Sequence, residues 1–513
     1  MVASVRLGRY FLSGLRRFFS GMMLSRVSGL GRDLSMAYAF GDHPMVAAFI
    51  VAFRLANVLR RFFGEGPLQS AFIPQFEGMK KESREEAYAF FRKLTVCVGA
   101  LVLLIIGVGE LGIHTSMSLW SEKNQEILVL MKWMLPTLFF ISLYGLNVSF
   151  LQCHSRFFVS SMAPFLCNAM WIIGALTLKN LPMERAMLGL AKMVLVGFII
   201  QWMVTAFQML KVMGTKKWLG GSFFPKEVKT LAKAFSLGAF GVGAMQINSF
   251  LDAIFSRCAH ISGPVYLWYA SRFQQLALAI FGIAAVNTLV PLLSRAIKGK
   301  ELERARGIFS FGFKKVALLM VPMTFAIGAL GFSAIDLVLG RGSFTPYATD
   351  QTAQCLIVYG LSLLPSTLVM IDSAVFYAEG DFKTPAYFSL MTVGINGALN
   401  SLFVFGLGLG PVSIALATSA SAWCNFIGLR WLSKKKGWRG GFAWKEWVYL
   451  LGGAALAATV ALRIQPYFAD KLLHFTVPGI AFVGTIGAFL FVFRKRFFDD
   501  RTAESGLIVV EDH

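Results

Sequence analysis

GMMLSRVSGLGRDLSMAYAFG (residues 21–41) and MVAAFIVAFRLANVLRRFFG (residues 45–64) decide how this chain is read. Each is long and apolar enough to cross a bilayer, for which about 20 residues suffice. Together they nevertheless hold Arg26, Arg32, Arg54, Arg60 and Arg61, and only Asp33, Asp42 and Glu65 lie close enough in sequence to offset them. A charged side chain at mid-membrane costs roughly 2.5–3.5 kcal/mol on insertion scales, so such arginines turn toward protein or a wet cavity. An excess of them over acids predicts a ligand that is itself an anion.

The rest of the chain agrees with life in lipid. Of 513 residues, 56% are hydrophobic and 15% charged, whereas soluble domains carry about 25% charged residues. A net charge of +22 would suit nucleic acid, but the basic residues gather in short loops between apolar runs, so no nucleic-acid partner is expected. Apolar spans fall near 14–40, 44–76, 89–113, 127–153, 158–179, 187–212, 229–257, 264–295, 307–330, 350–378, 385–406, 410–432, 446–464 and 475–493. The expected fold class is an all-α polytopic membrane protein with fourteen transmembrane helices. If the N-terminal Arg6, Arg9, Arg16 and Arg17 are cytoplasmic, alternate loops should also be basic, and they are: Lys80, Lys81 and Arg84; Lys211, Lys216 and Lys217; Arg295, Lys298 and Lys300; Lys434, Lys435 and Lys436; Arg494, Lys495 and Arg496. Both termini are therefore expected in the cytoplasm. No small-residue cleavage site follows the Arg-rich N-terminus, which reads as retained. The six cysteines are scattered without CxxC spacing and read as packing residues.

A weak internal repeat is visible. FRLANVLRRFFGEGPLQSAFIPQ places Arg54 twenty residues before Pro74, and SRFQQLALAIFGIAAVNTLVPLLSR places Arg272 nineteen before Pro291. FLQCHSRFFVSSMAP leads out of span four as VFYAEGDFKTP leads out of span ten. Each pair lies six spans apart, so a six-span unit occurs twice in the same orientation, an arrangement that builds transporters with a site between two lobes. The expected division is 1–220 for the first lobe, 221–438 for the second, and 439–513 for two appended spans and a tail.

No catalytic constellation is present. The chain has no GxxxxGK[ST] phosphate loop, no HExxH and no GxSxG, and its six histidines never pair. A transporter is expected rather than an enzyme, with no metal and no cofactor. On depth, Arg26 and Arg54 are the mid-membrane cavity candidates. Arg54 and Arg61 share a helical face, and Arg60 points about 100° away. Arg26 and Arg32 are six apart, on different faces of a straight helix, although Gly29 and Gly31 would permit a bend. For Arg32 a local pair with Asp33 or a snorkel to the interface stays equally open. Arg272 is the counterpart in span eight, expected to face Arg26 and Arg54 across a cavity; its bland alternative is a salt bridge to Asp252. Guanidinium groups bind phosphate oxygens in bidentate fashion, and a diphosphate would satisfy several at once. Asp252, Asn396 and Asn400 offer an oxygen-rich cation site, but bonding between adjacent helices is the preferred reading.

At these residues the chain resembles a known family. SRVSGLGRDLSMAYAFG, VAFRLANVLRRFFGEGPLQSAFIP, YASRFQQLALAIFGIAAVNTLVPLLSR, GRGSFTP and FYAEGDFKTP are similar, in order and spacing, to the MurJ (MviN) lipid II flippases of the multidrug and oligosaccharidyl-lipid exporter superfamily. The resemblance implies two six-helix lobes around a V-shaped cavity, and a last helix pair lining a groove for an undecaprenyl tail. It implies movement of lipid II, a lipid-linked disaccharide-pentapeptide, from the inner to the outer leaflet of the bacterial inner membrane by alternating access. Its implied cavity arginines fall on Arg26, Arg32, Arg60 and Arg272, with Arg54 at the basic position of VAF[KR]L and Glu65 at the GEG acid. Where the family commonly has acids, this chain has Ala47 and Gln275, which leaves any gate to Glu65, Gln275 or Asp33. An acid at position 47 is expected to leave transport intact or change only its rate. A flippase for another polyprenyl-diphosphate glycan, or an ion-coupled exporter of the superfamily, are the alternatives. The expected partners are lipid II and membrane lipids, with the chain acting as a monomer beside the cell-wall synthesis machinery; the coupling ion, Na⁺ or H⁺, stays open.

Overall fold

The computed structural model describes residues 23–63, 67–119, 125–214, 243, 246–494 and 497. Every regular element among them is a helix. Hydrocarbon offers the backbone no hydrogen-bond partner, so each crossing segment must satisfy its own N–H and C=O groups, as a helix does. Ten helical stretches among the described residues are long and apolar enough to cross a membrane, and the chain is a multi-pass membrane protein. Residues 14–22 of the expected first span, most of the seventh and Glu65 lie outside the described residues.

Two compact units meet in sequence at Ala253 and Ile254. The first holds α1 (23–40), α2 (Pro44–Phe63), α3 (Pro67–Glu82), α4 (Arg84–Leu119), α5 (Gln125–Met134), α6 (Thr137–Gln152), α7 (Phe157–Leu178), α8 (Met183–Met213) and the start of α9 (246–259). The second continues with α10 (Gly263–Ala277), a π-helical turn (Leu278–Ile283), α11 (Ala284–Lys298), α12 (Leu302–Leu339), α13 (Pro346–Gly360), α14 (Leu363–Ala378), α15 (Lys383–Ser401) with a π-helical end, and α16 (Val412–Lys435). The appended pair is α17 (Trp444–Ile464) and α18 (Lys471–Val492). α1 runs unbroken through Gly29 and Gly31.

The two prolines that hint at a repeat fall at matching places in the two units. Pro74 and Pro291 are each the eighth residue of their helices, of 16 and 15 residues. The long helices that follow have 36 and 38 residues. Next, in both units, comes a helix broken by a two-residue turn, at Leu135–Pro136 and at Leu361–Ser362, and each second half is 16 residues long. The freed carbonyls are satisfied alike: Thr137 donates its hydroxyl to Met134, and Ser362 donates its own to Tyr359. α7 handles Pro164 differently. A proline cannot donate to the carbonyl four residues back, and that carbonyl, of Ser160, accepts instead from the Tyr144 hydroxyl at 2.9 Å.

The loop after α6 is pinned by charge and aromatic packing. His154 sets one ring nitrogen 2.9 Å from the Phe150 carbonyl and the other 3.0 Å from the Tyr88 hydroxyl, which accepts from Arg84 Nε. Lys80 donates to the Cys153 carbonyl at 2.6 Å. Burial pushes the His154 imidazole below its usual value; its bond to Phe150 opposes that shift, and the Lys80 and Arg84 charges add to it. Burial, with the Glu77 carboxylate beside it, pushes the Cys153 thiol up to about 12.

The appended pair is tied to α12 near one of its ends. Lys471 reaches Asp336 at 2.6 Å and the Gly340 carbonyl at 2.8 Å, and His474 lies 2.9 Å from the Ser333 hydroxyl. Asp470 caps α18 by accepting from the Leu472 and Leu473 N–H groups.

Candidate functional site

α2 is the central helix of the first unit. It packs on α5, α6 and α8, and from Val46 to Arg54 every residue is buried. A helix apolar all round belongs in an interior, and this one ends its buried run on a cation. Arg54 is 8% exposed. Its Nη1 donates to the Ser249 carbonyl at 2.7 Å and lies 3.2 Å from the Ser249 hydroxyl, joining α2 to α9. Ala47 is wholly buried seven residues earlier, so the position holds no open space for a carboxylate.

Arg32 sits in a polar cluster between α1 and α7. Its Nε and Nη2 donate to Asp33 Oδ1 at 3.0 and 2.9 Å, and its Nη1 donates to Asn168 Oδ1 at 3.2 Å. The guanidinium lies 4.9 Å from the centre of the Trp171 ring, which meets Phe49 and Phe53 of α2 edge-on. The local pair with Asp33 is thus formed, while Asn168 and Trp171 hold the same guanidinium from α7. Arg26 points to the exposed side of α1, away from this cluster, and Arg61 is exposed on α2. The backbone of Arg60 lies in α2, and its side chain is outside the described residues.

In the second unit Arg272 lies on α10, six residues before the π-helical turn, its guanidinium 4.1 Å from the centre of the Trp268 ring. Such π-helical turns occur frequently at functional sites. Gln274 fixes the helix by donating to the Ser362 hydroxyl at 2.6 Å, at the break before α14. Gln275 is exposed. Asp252 is buried on α9, and Asn396 and Asn400 are fully buried one turn apart on α15. Among the described residues no three His, Cys, Asp or Glu side chains group as metal ligands would.

Four polar residues escaped the reading of the sequence. Ser249 and Asn168 gave no local signal, since hydroxyls and amides are ordinary in helices of this kind. Arg430, in the apolar run WCNFIGLRWL, carried the same signal as Arg54 and finds its acid in Asp372 of α14. On the last helix pair, Leu456, Gly484, Ala488, Phe489 and Val492 line an apolar groove of about 580 Å³.

Known proteins match this arrangement over nearly its whole length. A relative from Chlamydia trachomatis, described as a probable lipid II flippase MurJ, is 29% identical over 93% of this chain and 90% of its own length. One from Chlamydia muridarum with the same description is 31% identical over 80% of this chain and 76% of its own. Among solved structures, lipid II flippase MurJ in an inward closed conformation superposes with a TM-score of 0.78 at 22% identity, covering 93% of this chain and 98% of that one. An inward-facing multidrug resistance MATE transporter of the MOP superfamily shares the fold at a TM-score of 0.63 and 14% identity, over 82% of this chain and 98% of its own. The family model described as lipid II flippase MurJ matches residues 36–483, a stretch that includes Arg54, Asn168, Arg272 and the groove-lining Leu456; the chain belongs to the MurJ lipid II flippase family.

Proposed function

We propose that this protein moves lipid II from the inner to the outer leaflet of the bacterial inner membrane by alternating access. The family match over residues 36–483 carries the reading. Buried Arg54 and part-buried Arg32 and Arg272 support it, since such arginines are expensive in a membrane and are kept for a ligand or a partner. Arg26, Arg32, Arg54, Arg60 and Arg272 are proposed to meet the diphosphate, whose oxygens suit guanidinium forks. The groove on α17 and α18 is proposed to take the polyprenyl tail, each buried CH₂ of which contributes about 0.8 kcal/mol. Fourteen crossings with both termini in the cytoplasm follow from the basic loops. No nucleotide loop occurs in the sequence, so the drive is assigned to membrane potential, an ion gradient or consumption of the product outside. A dianionic headgroup responds to potential at about 2.3 kcal/mol per charge per 100 mV. The guanidinium groups read the diphosphate and not the sugars, so other polyprenyl-diphosphate glycans form the second reading. The test is complementation of a bacterium depleted of its own lipid II flippase. Growth and normal shape are expected from this chain, and lysis despite correct membrane insertion would overturn the reading.

A further inference from the structure

The cluster around Arg32 contains a residue with no charge and three bonds. Asn168 of α7 is 8% exposed. Its amide nitrogen donates to the Ser28 hydroxyl at 2.9 Å and to the Ser25 carbonyl at 3.3 Å, while its oxygen accepts from Arg32 Nη1 at 3.2 Å. Ser25, Ser28 and Arg32 are spaced i, i+3, i+7 and share one face of α1. One amide therefore fixes that face to α7. Gly29 lies between them, and a Cβ there would stand 3.8 Å from the Asn168 nitrogen. On the other side α8 comes close at Gly197, where a Cβ would stand 3.1 Å from the Cys167 backbone, so Asn168 is presented from a tightly packed helix pair.

We propose that Asn168 is the positioning residue for Arg32 in binding the lipid-linked diphosphate, an inference that rests on the function proposed above. A guanidinium has five N–H donors in a fixed plane. Asp33 takes two and Asn168 one, with the Trp171 face against the plane. When phosphate oxygens replace the Asp33 carboxylate, Asn168 keeps Nη1 anchored and the plane aimed. Neutrality is the reason for an amide: a second carboxylate would hold the guanidinium as well but would repel the incoming anion.

The test is titration of labelled lipid II against the purified full-length protein in liposomes. Asn168→Leu keeps the volume and removes the bonds. It should weaken binding by about ten- to a hundredfold, as expected for the loss of a hydrogen bond to a charged group. Asn168→Asp should also weaken binding, by charge. The pair Asp33→Asn with Asn168→Asp restores one acid and one amide around Arg32 and should bind like the unaltered protein. Arg32→Ala should weaken binding, and adding Asn168→Leu to it should change nothing further. Normal binding by Asn168→Leu beside weakened Arg32→Ala would overturn the positioning role. So would an equal further loss in the Arg32→Ala background, which is what a merely structural residue gives. Normal binding by Arg32→Ala would strike at the proposed substrate contact of Arg32 itself, and absence of binding by the unaltered protein at the proposed function.

Discussion

Arg430 donates to the Asp372 carboxylate across 3.3 Å, with the two side chains 7% and 0% exposed. The same guanidinium donates to the Trp438 carbonyl at 3.2 Å and to that of Gly440, and lies 5.1 and 4.7 Å from the ring centres of Phe309 and Phe313. One side chain thereby joins α12, α14, α16 and the link to α17. Removing one member of a buried pair strands the other charge, at about 3–5 kcal/mol. Arg430→Met is expected to lower the thermal unfolding midpoint in detergent sharply, and adding Asp372→Leu should recover much of the loss. An unchanged midpoint in the single variant would contradict the buried pair.

Ala47 is closed in on all sides. An acid there has no route to water, and burying an unpaired carboxylate is expensive unless it is neutralised. Ala47→Asp is therefore expected to reduce the yield of folded protein in size-exclusion profiles, with Ala47→Ser much milder. The family resemblance suggested a tolerated acid; the packing of α2 argues the opposite, and equal yields for Asp and Ser would favour the resemblance.

Tyr144 and Pro164 form a coupled pair through the Ser160 carbonyl. Tyr144→Phe strands a buried acceptor, at about 1–3 kcal/mol. In a Pro164→Ala background the backbone N–H regained at that position can take the carbonyl, so the same Tyr144→Phe change should cost much less. Additive losses in this double-mutant cycle would show that the hydroxyl is not replacing the missing helix bond.

His154 predicts a pH dependence. Its imidazole is held below the ordinary value of 6.5 by burial, so the folded protein favours the neutral ring. The unfolded chain takes up the proton first, so stability is full above 6.5 and falls as the pH drops toward the lower folded value. His154→Gln should flatten that part of the stability profile, measured as detergent melting points from about pH 7.5 to about pH 5. An unchanged slope would assign it elsewhere.

Much of this was legible in the sequence because lipid imposes few solutions. Apolar runs had to be helices, and the expected spans near 127–153 and 350–378 are helical on both sides of a two-residue turn. Pro74 and Pro291 were legible as register marks, and each is the eighth residue of its helix. Partners were not legible. Ser249 lies 195 residues from Arg54, and Asn168 lies 136 from Arg32. No periodicity links such positions; only packing brings them together. The surroundings of Ala47 were not legible for the same reason, since whether a small residue faces a cavity or a neighbouring helix depends on the neighbour.

The most direct measurement of the central claim is a leaflet-resolved count of lipid II in cells depleted of their own flippase and supplied with this protein. Lipid II is expected to become accessible at the outer leaflet at a restored rate with the unaltered chain, and to accumulate inside with Arg272→Ala inserted at equal abundance. Lipid II that stays in the inner leaflet while the unaltered protein is correctly inserted would contradict the account.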